Sequence, residues 1–187
     1  MNIILIGYRC TGKTSVGRRL AEMSGRPFWD TDELVCRRTG KTIAEIVVAA
    51  GWTAFRKAES AAVEEVSRRE GAIIATGGGV VLDPENLQCL KKNGRVIWLT
   101  ASADAIRRRM GADAASGAHR PPLSQESCDE EVRKTLAQRE GFYRQSADLV
   151  VNTDALDVQE TAAVIGRVFP EIFGFSPRGA PKKEGEK

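Results

Sequence analysis

The chain carries a complete G-x-x-x-x-G-K-[ST] pattern at Gly7-Tyr8-Arg9-Cys10-Thr11-Gly12-Lys13-Thr14, directly after the apolar run Ile3-Ile4-Leu5-Ile6. Few features restrict a fold more. The loop works only where a buried strand ends and a helix begins, because its backbone N–H groups must converge on an anion at the positive end of the helix. Val16, Leu20 and Met23 then follow at helical spacing, so strand, turn and helix are all present. In such a loop the backbone wraps the α- and β-phosphates, the lysine reaches the β- and γ-phosphates, and the Thr hydroxyl ligates Mg²⁺. Gly7, Cys10, Thr11, Gly12, Lys13, Thr14 and Ser15 are therefore expected to hold a nucleoside triphosphate and its metal.

At 187 residues there is room for one domain with a real core and hardly for two; residues 1–175 are expected to form it. A net charge of +3 gives no case for nucleic-acid binding. No apolar run approaches the roughly 18 to 20 residues that span a bilayer, so no membrane partner is expected. The first residues read as a core strand rather than a removable signal peptide, which makes the cytoplasm the default location. Cys10, Cys36, Cys89 and Cys128 form no C-x-x-C pair, and His119 is the one histidine. That composition suggests free thiols in a reducing compartment and no zinc site.

Short apolar segments recur at 2–6, 27–30, 72–76, 95–99 and 148–152. Runs such as Val96-Ile97-Trp98-Leu99 indicate strands buried on both faces, as in a parallel sheet. Helical patterns lie between them. Thr42 with Glu45 reads as a capping box opening a helix over 43–50, and Phe55, Ala58, Ala62 and Val66 form one side of a second helix over 52–70. Further helices are expected near Glu33 and over 83–93, 102–110, 128–146 and 157–169. The alternation predicts a three-layer α/β/α domain around a five-stranded parallel sheet. Residues 111–123, broken by Gly and two prolines, read as a mobile lid, and 176–187 as a disordered tail.

Other residues could carry chemistry. Asp30 and Asp32 fall at the C-terminal end of the second strand, where an open parallel sheet gathers its ligands. One could orient Mg²⁺ waters and the other accept a proton from a substrate hydroxyl; a helix N-cap explains one of them equally well. Arg56, taken alone, is a solvated helix residue paired with Glu59. Gly77-Gly78-Gly79 suggest close approach to a ligand or positive φ. Arg120 in the lid could neutralise charge on a transferred phosphoryl group, and Arg139 could grip a carboxylate; singly, either reads as a surface arginine.

Together, GYRCTGKT, DTD, FRKAE, TGGG, RPPL and REGFYR, in this order over residues 1–170, closely resemble the shikimate kinases. The resemblance implies a nucleoside-monophosphate-kinase-like fold with a closing lid. It also implies transfer of the ATP γ-phosphoryl group to the 3-hydroxyl of shikimate, in the route to aromatic amino acids. By position, Asp32, Arg56, Gly78, Gly79 and Arg139 would bind shikimate, Asp32 acting as the base and the two arginines gripping the carboxylate. Lys13 and Arg120 would neutralise phosphate charge, Thr14 would ligate Mg²⁺ and Asp30 would support it through water. Arg109 would stack on adenine, with Asn152 and Thr153 in the adenine loop. ATP, Mg²⁺ and shikimate are thus the expected ligands, and a monomer is the default expectation.

Cys10 departs from the small residue usual at its place, and a thiol beside a helix N-terminus is a candidate for easy oxidation. A gluconate-type kinase and a non-catalytic nucleotide-dependent regulator are the rival readings. A GTPase switch lacks its Asn-Lys-x-Asp motif here.

Overall fold

The structure, a computed structural model, describes residues 1–112 and 127–174. Strands β1 (Asn2–Ile6), β2 (Phe28–Asp30), β3 (Ile73–Ala75), β4 (Gly94–Thr100) and β5 (Leu149–Asn152) form one sheet in the order β2-β3-β1-β4-β5. Every pairing is parallel. Each strand falls within about one residue of its expected span, a margin inside the usual scatter of element boundaries.

The helices are α1 (Lys13–Ser24), α2 (Thr31–Thr39), α3 (Ile43–Ser67), α4 (Pro84–Lys91), α5 (Ala103–Ala112), α6 (Cys128–Ser146) and α7 (Val158–Val168). Strand side chains alternate between the two faces. Ile4 and Ile6 of β1 pack with Leu34 of α2, Phe55 and Val63 of α3, and Leu90 of α4. Ile3 and Leu5 go the other way, against Val16 and Leu20 of α1 and Ile165 of α7. Both layers bury β1 completely, which is why its run is continuously apolar. A third, smaller cluster of Tyr8, Ala101, Ile106 and Val132 joins the phosphate loop to α5 and α6.

The two helices expected over 43–50 and 52–70 are the halves of α3, interrupted at Gly51 with φ 79° and ψ 171°. The Thr42–Glu45 capping box is present, Glu45 Oε2 accepting from Thr42 N at 2.7 Å. α2 begins two residues before Glu33 because Asp30 caps it, its carboxylate accepting from the N–H groups of Asp32 and Glu33.

The chain leaves β1 toward β2 at one edge of the sheet and leaves the adjacent β3 toward β4 on the other side. The crevice at the carboxyl ends of β1 and β3 is the switch point where such sheets bind ligands. No helix among the described residues is long and apolar enough to cross a membrane. Arg120, His119, most of the expected lid and the tail beyond residue 174 lie outside the described residues.

Candidate active site

The phosphate loop links β1 to α1 through backbone that few side chains tolerate. Gly7 has φ 140°, and a Cβ there would collide with the Leu99 carbonyl oxygen; Gly12, which caps α1, has φ 92°. Between them Cys10 sits at φ 59°, the one left-handed non-glycine among the described residues. The backbone there favours glycine, and cysteine adopts it at a cost, as any residue with a Cβ would. Cys10 packs beside the Tyr8–Ile106 cluster while still reaching the loop's outer cleft. No side chain caps α1 and no acid lies in its first turn, so its leading N–H groups suit an anion. Lys13 Nζ is folded back over the loop, donating to the carbonyls of Gly7 at 2.8 Å and Tyr8 at 2.7 Å.

Thr14 donates its hydroxyl to Asp30 Oδ2 at 2.8 Å, while Asp30 Oδ1 accepts from Asp32 N at 2.9 Å. Asp30 therefore caps α2 with one oxygen and meets the Thr14 hydroxyl with the other. A hydroxyl and a carboxylate side by side at the loop's end are hard oxygen donors of the kind Mg²⁺ takes.

Beside the loop opens a cleft of about 470 Å³, into which separate segments send their side chains. Asp32 comes from the first turn of α2, Arg56 and Glu59 from α3, Gly77–Gly79 from the turn after β3, and Arg139 from α6. Ile43, Trp52 and Phe55 form its apolar side. The glycines earn their place by close approach, since none of the three has positive φ. A Cβ on Gly77 would lie 2.5 Å from Glu59 Oε1 and 2.7 Å from Asp32 Oδ1, and one on Gly79 would strike the Arg56 guanidinium. At Gly78 a Cβ would press on the phosphate loop itself, 3.3 Å from the Gly7 carbonyl oxygen.

Arg56 is held on three sides. Its Nη1 donates to Glu59 Oε2 at 2.5 Å, and its guanidinium lies 5.7 Å from the Trp52 ring centre and 5.2 Å from that of Phe55. Arg139 Nη1 and the Tyr143 hydroxyl both donate to the Gly78 carbonyl, at 3.1 and 2.5 Å. Glu59 is 1% exposed, and its Oε1 has no hydrogen-bond partner. Burial pushes its carboxyl above the ordinary value against the pull of Arg56, and neighbouring Asp32 adds to the rise. Burial likewise raises Tyr143 to about 12, which keeps its hydroxyl a donor.

On the loop's other side a cleft of about 810 Å³ is lined by Cys10, Thr11, Gly12, Ser15, Arg109 and Thr153, among others. Arg109 spans it, donating to the Cys10 carbonyl at 3.3 Å, Thr153 Oγ1 at 3.0 Å and the Thr153 carbonyl at 2.5 Å. Asn152 is exposed and outside this lining, and its side chain accepts from Asp154 N at 2.7 Å.

Every other expected site residue among the described ones lies on one cleft or at the loop between them. The sequence shows Glu59 only as a partner for Arg56; in the second half of α3 it is buried along with Phe55, Ala62, Val63 and Val66, and Ala58 packs against the same core, partly buried. An acid inside an apolar stripe was the available signal. Tyr8, Trp52 and Tyr143 had no such signal and are found only by the fold.

A sequence model described as shikimate kinase matches residues 9–169. The chain is 43% identical over 176 residues to a shikimate kinase of Syntrophus aciditrophicus, covering 90% of each. It is 42% identical over 166 residues to one of Symbiobacterium thermophilum, covering 88% of this chain and 94% of the relative. A solved shikimate kinase from Acinetobacter baumannii, in complex with shikimate, superposes with a TM-score of 0.84 at 33% identity, covering 91% of this chain and 93% of that one.

Proposed function

The chain belongs to the shikimate kinase family, and on that premise we propose that it transfers the γ-phosphoryl group of ATP to the 3-hydroxyl of shikimate. The observation that carries the reading is the convergence of Asp32, Arg56, Gly79 and Arg139 on one cleft beside the phosphate loop. Shikimate has one carboxylate and several ring hydroxyls. Two arginines suit the carboxylate through forked hydrogen bonds, and an aspartate suits the hydroxyls.

Phosphoryl transfer requires positioning and charge neutralisation more than covalent chemistry by the protein. Asp32 holds the attacking hydroxyl and accepts its proton as the new oxygen–phosphorus bond forms and the bond from the γ-phosphorus to ADP breaks, ADP leaving with the bridging oxygen. Lys13 exchanges the Gly7 and Tyr8 carbonyls for phosphate oxygens, and the N–H groups at the start of α1 hold the remaining charge. Thr14 and Asp30 are the residues that would hold Mg²⁺, which when bound neutralises charge on the phosphates. Arg109, Ser15 and Thr153 bind the nucleoside side from the second cleft. Arg120 belongs to the proposal as a second neutralising cation arriving with the lid. The reading extends to a monomer acting in the cytoplasm.

ADP release from ATP with shikimate, quinate and gluconate offered separately tests the acceptor. Shikimate alone should support rapid turnover. Turnover with gluconate and none with shikimate would replace this reading with the sugar-acid one.

A further inference from the structure

The mechanism leaves unused an ion pair between the phosphate loop and α6, its Glu131 buried and its Arg9 at the wall of the acceptor cleft. Arg9 Nη2 donates to Glu131 Oε1, and the Tyr8 hydroxyl approaches the same oxygen at 3.4 Å. The two side chains are only 14% and 3% exposed, and the Arg9 guanidinium lies 5.5 Å from the Tyr8 ring centre. Loop and helix are 122 residues apart in sequence at this contact.

Stability is a poor account of such a pair. Taking two charges out of water costs several kcal/mol per ion, and Arg9 Nε is left buried with no hydrogen-bond partner. What the pair supplies is register. About two and three turns farther along α6, Arg139 and Tyr143 both donate to the Gly78 carbonyl. The helix that carries the carboxylate-gripping arginine is therefore pinned at two places, once to the phosphate loop and once to the glycine turn.

We propose that Arg9 and Glu131 are positioning residues for the acceptor: their ion pair sets the rise and rotation of α6, and so the place of the Arg139 guanidinium in the cleft. A helix that slips by one residue moves its side chains about 1.5 Å along its axis and about 100° around it. A displacement of about 1 Å can cost up to a hundredfold in rate, so a partial slip is enough to matter. The inference rests on shikimate being the acceptor.

The test uses Glu131→Gln, Arg9→Lys, Arg139→Ala and the double variant E131Q/R139A, in full steady-state kinetics with both substrates and in amide exchange along α6 without ligand. Glu131→Gln should raise the shikimate KM about tenfold while the ATP KM stays within about twofold. Arg9→Lys, which keeps the charge, should recover most of that loss. Exchange at residues 139–143 should quicken in ligand-free Glu131→Gln. With Arg139 already removed, Glu131→Gln should add nothing to the shikimate KM, because both act through one guanidinium.

A lowered melting temperature with an unchanged shikimate KM would overturn the proposal. So would KM factors that multiply in the double variant, as independent contact with substrate would give. Should Glu131→Gln not fold, Glu131→Asp, shorter by one methylene, carries the same comparisons. Wild-type turnover on shikimate tests the functional reading separately, and exchange reads the pair with no substrate present, so the two failures are distinguishable.

Discussion

The two clefts beside the phosphate loop are built in opposite ways. Phosphates would be held by consecutive residues 7–15, largely through backbone N–H groups whose direction is set by Gly7, Gly12 and the start of α1. The acceptor cleft has no such continuity. Asp32, Arg56, Gly79 and Arg139 come from four separate segments, and Arg56 is held in place by Glu59, a further side chain of the same cleft. One half is therefore robust to what surrounds it and the other depends on the register of α2, α3 and α6. That contrast predicts where damage will spread and where it will stay.

The largest effect should come from Lys13→Met, which removes the cation nearest the transferred group. Its kcat should fall about a thousandfold or more, with shikimate binding by calorimetry nearly intact. A comparable loss of shikimate affinity would mean the halves are not separable. Asp32→Asn, made on the other side, should reduce kcat by about a hundredfold to ten-thousandfold through loss of the base. A near-wild-type rate would remove Asp32 from that role.

Gly79→Ala should strike the acceptor half alone. Its Cβ meets the Arg56 guanidinium rather than backbone, so the protein should fold while the shikimate KM rises about tenfold and the ATP KM does not. Glu59→Gln sharpens the same point through pH. A buried acid with a raised folded-state pKa stabilises the fold fully below its unfolded value, near 4.5, and that contribution is lost as pH rises through the raised value. Stability of the wild type should therefore fall relative to Glu59→Gln as pH climbs across that window, measured by chemical denaturation. A difference that stays flat with pH would show that Glu59 titrates normally.

The smallest effect should be Cys10→Gly. Relief of a left-handed L-residue, partly offset by the greater freedom of glycine in the unfolded chain, should leave a gain of no more than about 1 kcal/mol. Cys10→Ala, equally strained, should show none. A clear loss of stability in Cys10→Gly would mean that the thiol's packing beside Tyr8 and Ile106 outweighs the strain.

The same contrast explains what could be read before folding. The loop, the strands and the capping box of α3 are local, governed by spacing and backbone preference, and they appear where the pattern puts them. Asp30 is readable as a cap, and it caps α2 while its other oxygen meets Thr14. Glu59 was half legible, since its spacing to Arg56 shows a pair but not its complete burial. The Arg9–Glu131 contact was not legible at all, because nothing local relates residues 122 positions apart. Of the pair Asn152 and Thr153, Thr153 lines the second cleft while Asn152 accepts from Asp154 N in the turn, a difference the sequence does not show.

The claim that the acceptor half recognises a carboxylate through Arg56 and Arg139 is tested most directly by calorimetry with shikimate and its methyl ester, on the wild type and on Arg139→Ala. A hydrogen-bonded charge is worth about 1.5–3 kcal/mol, so the wild type should bind the ester at least about tenfold more weakly than the acid. In Arg139→Ala that gap should shrink sharply, through weaker binding of the acid. Equal affinity for acid and ester in the wild type would contradict the account.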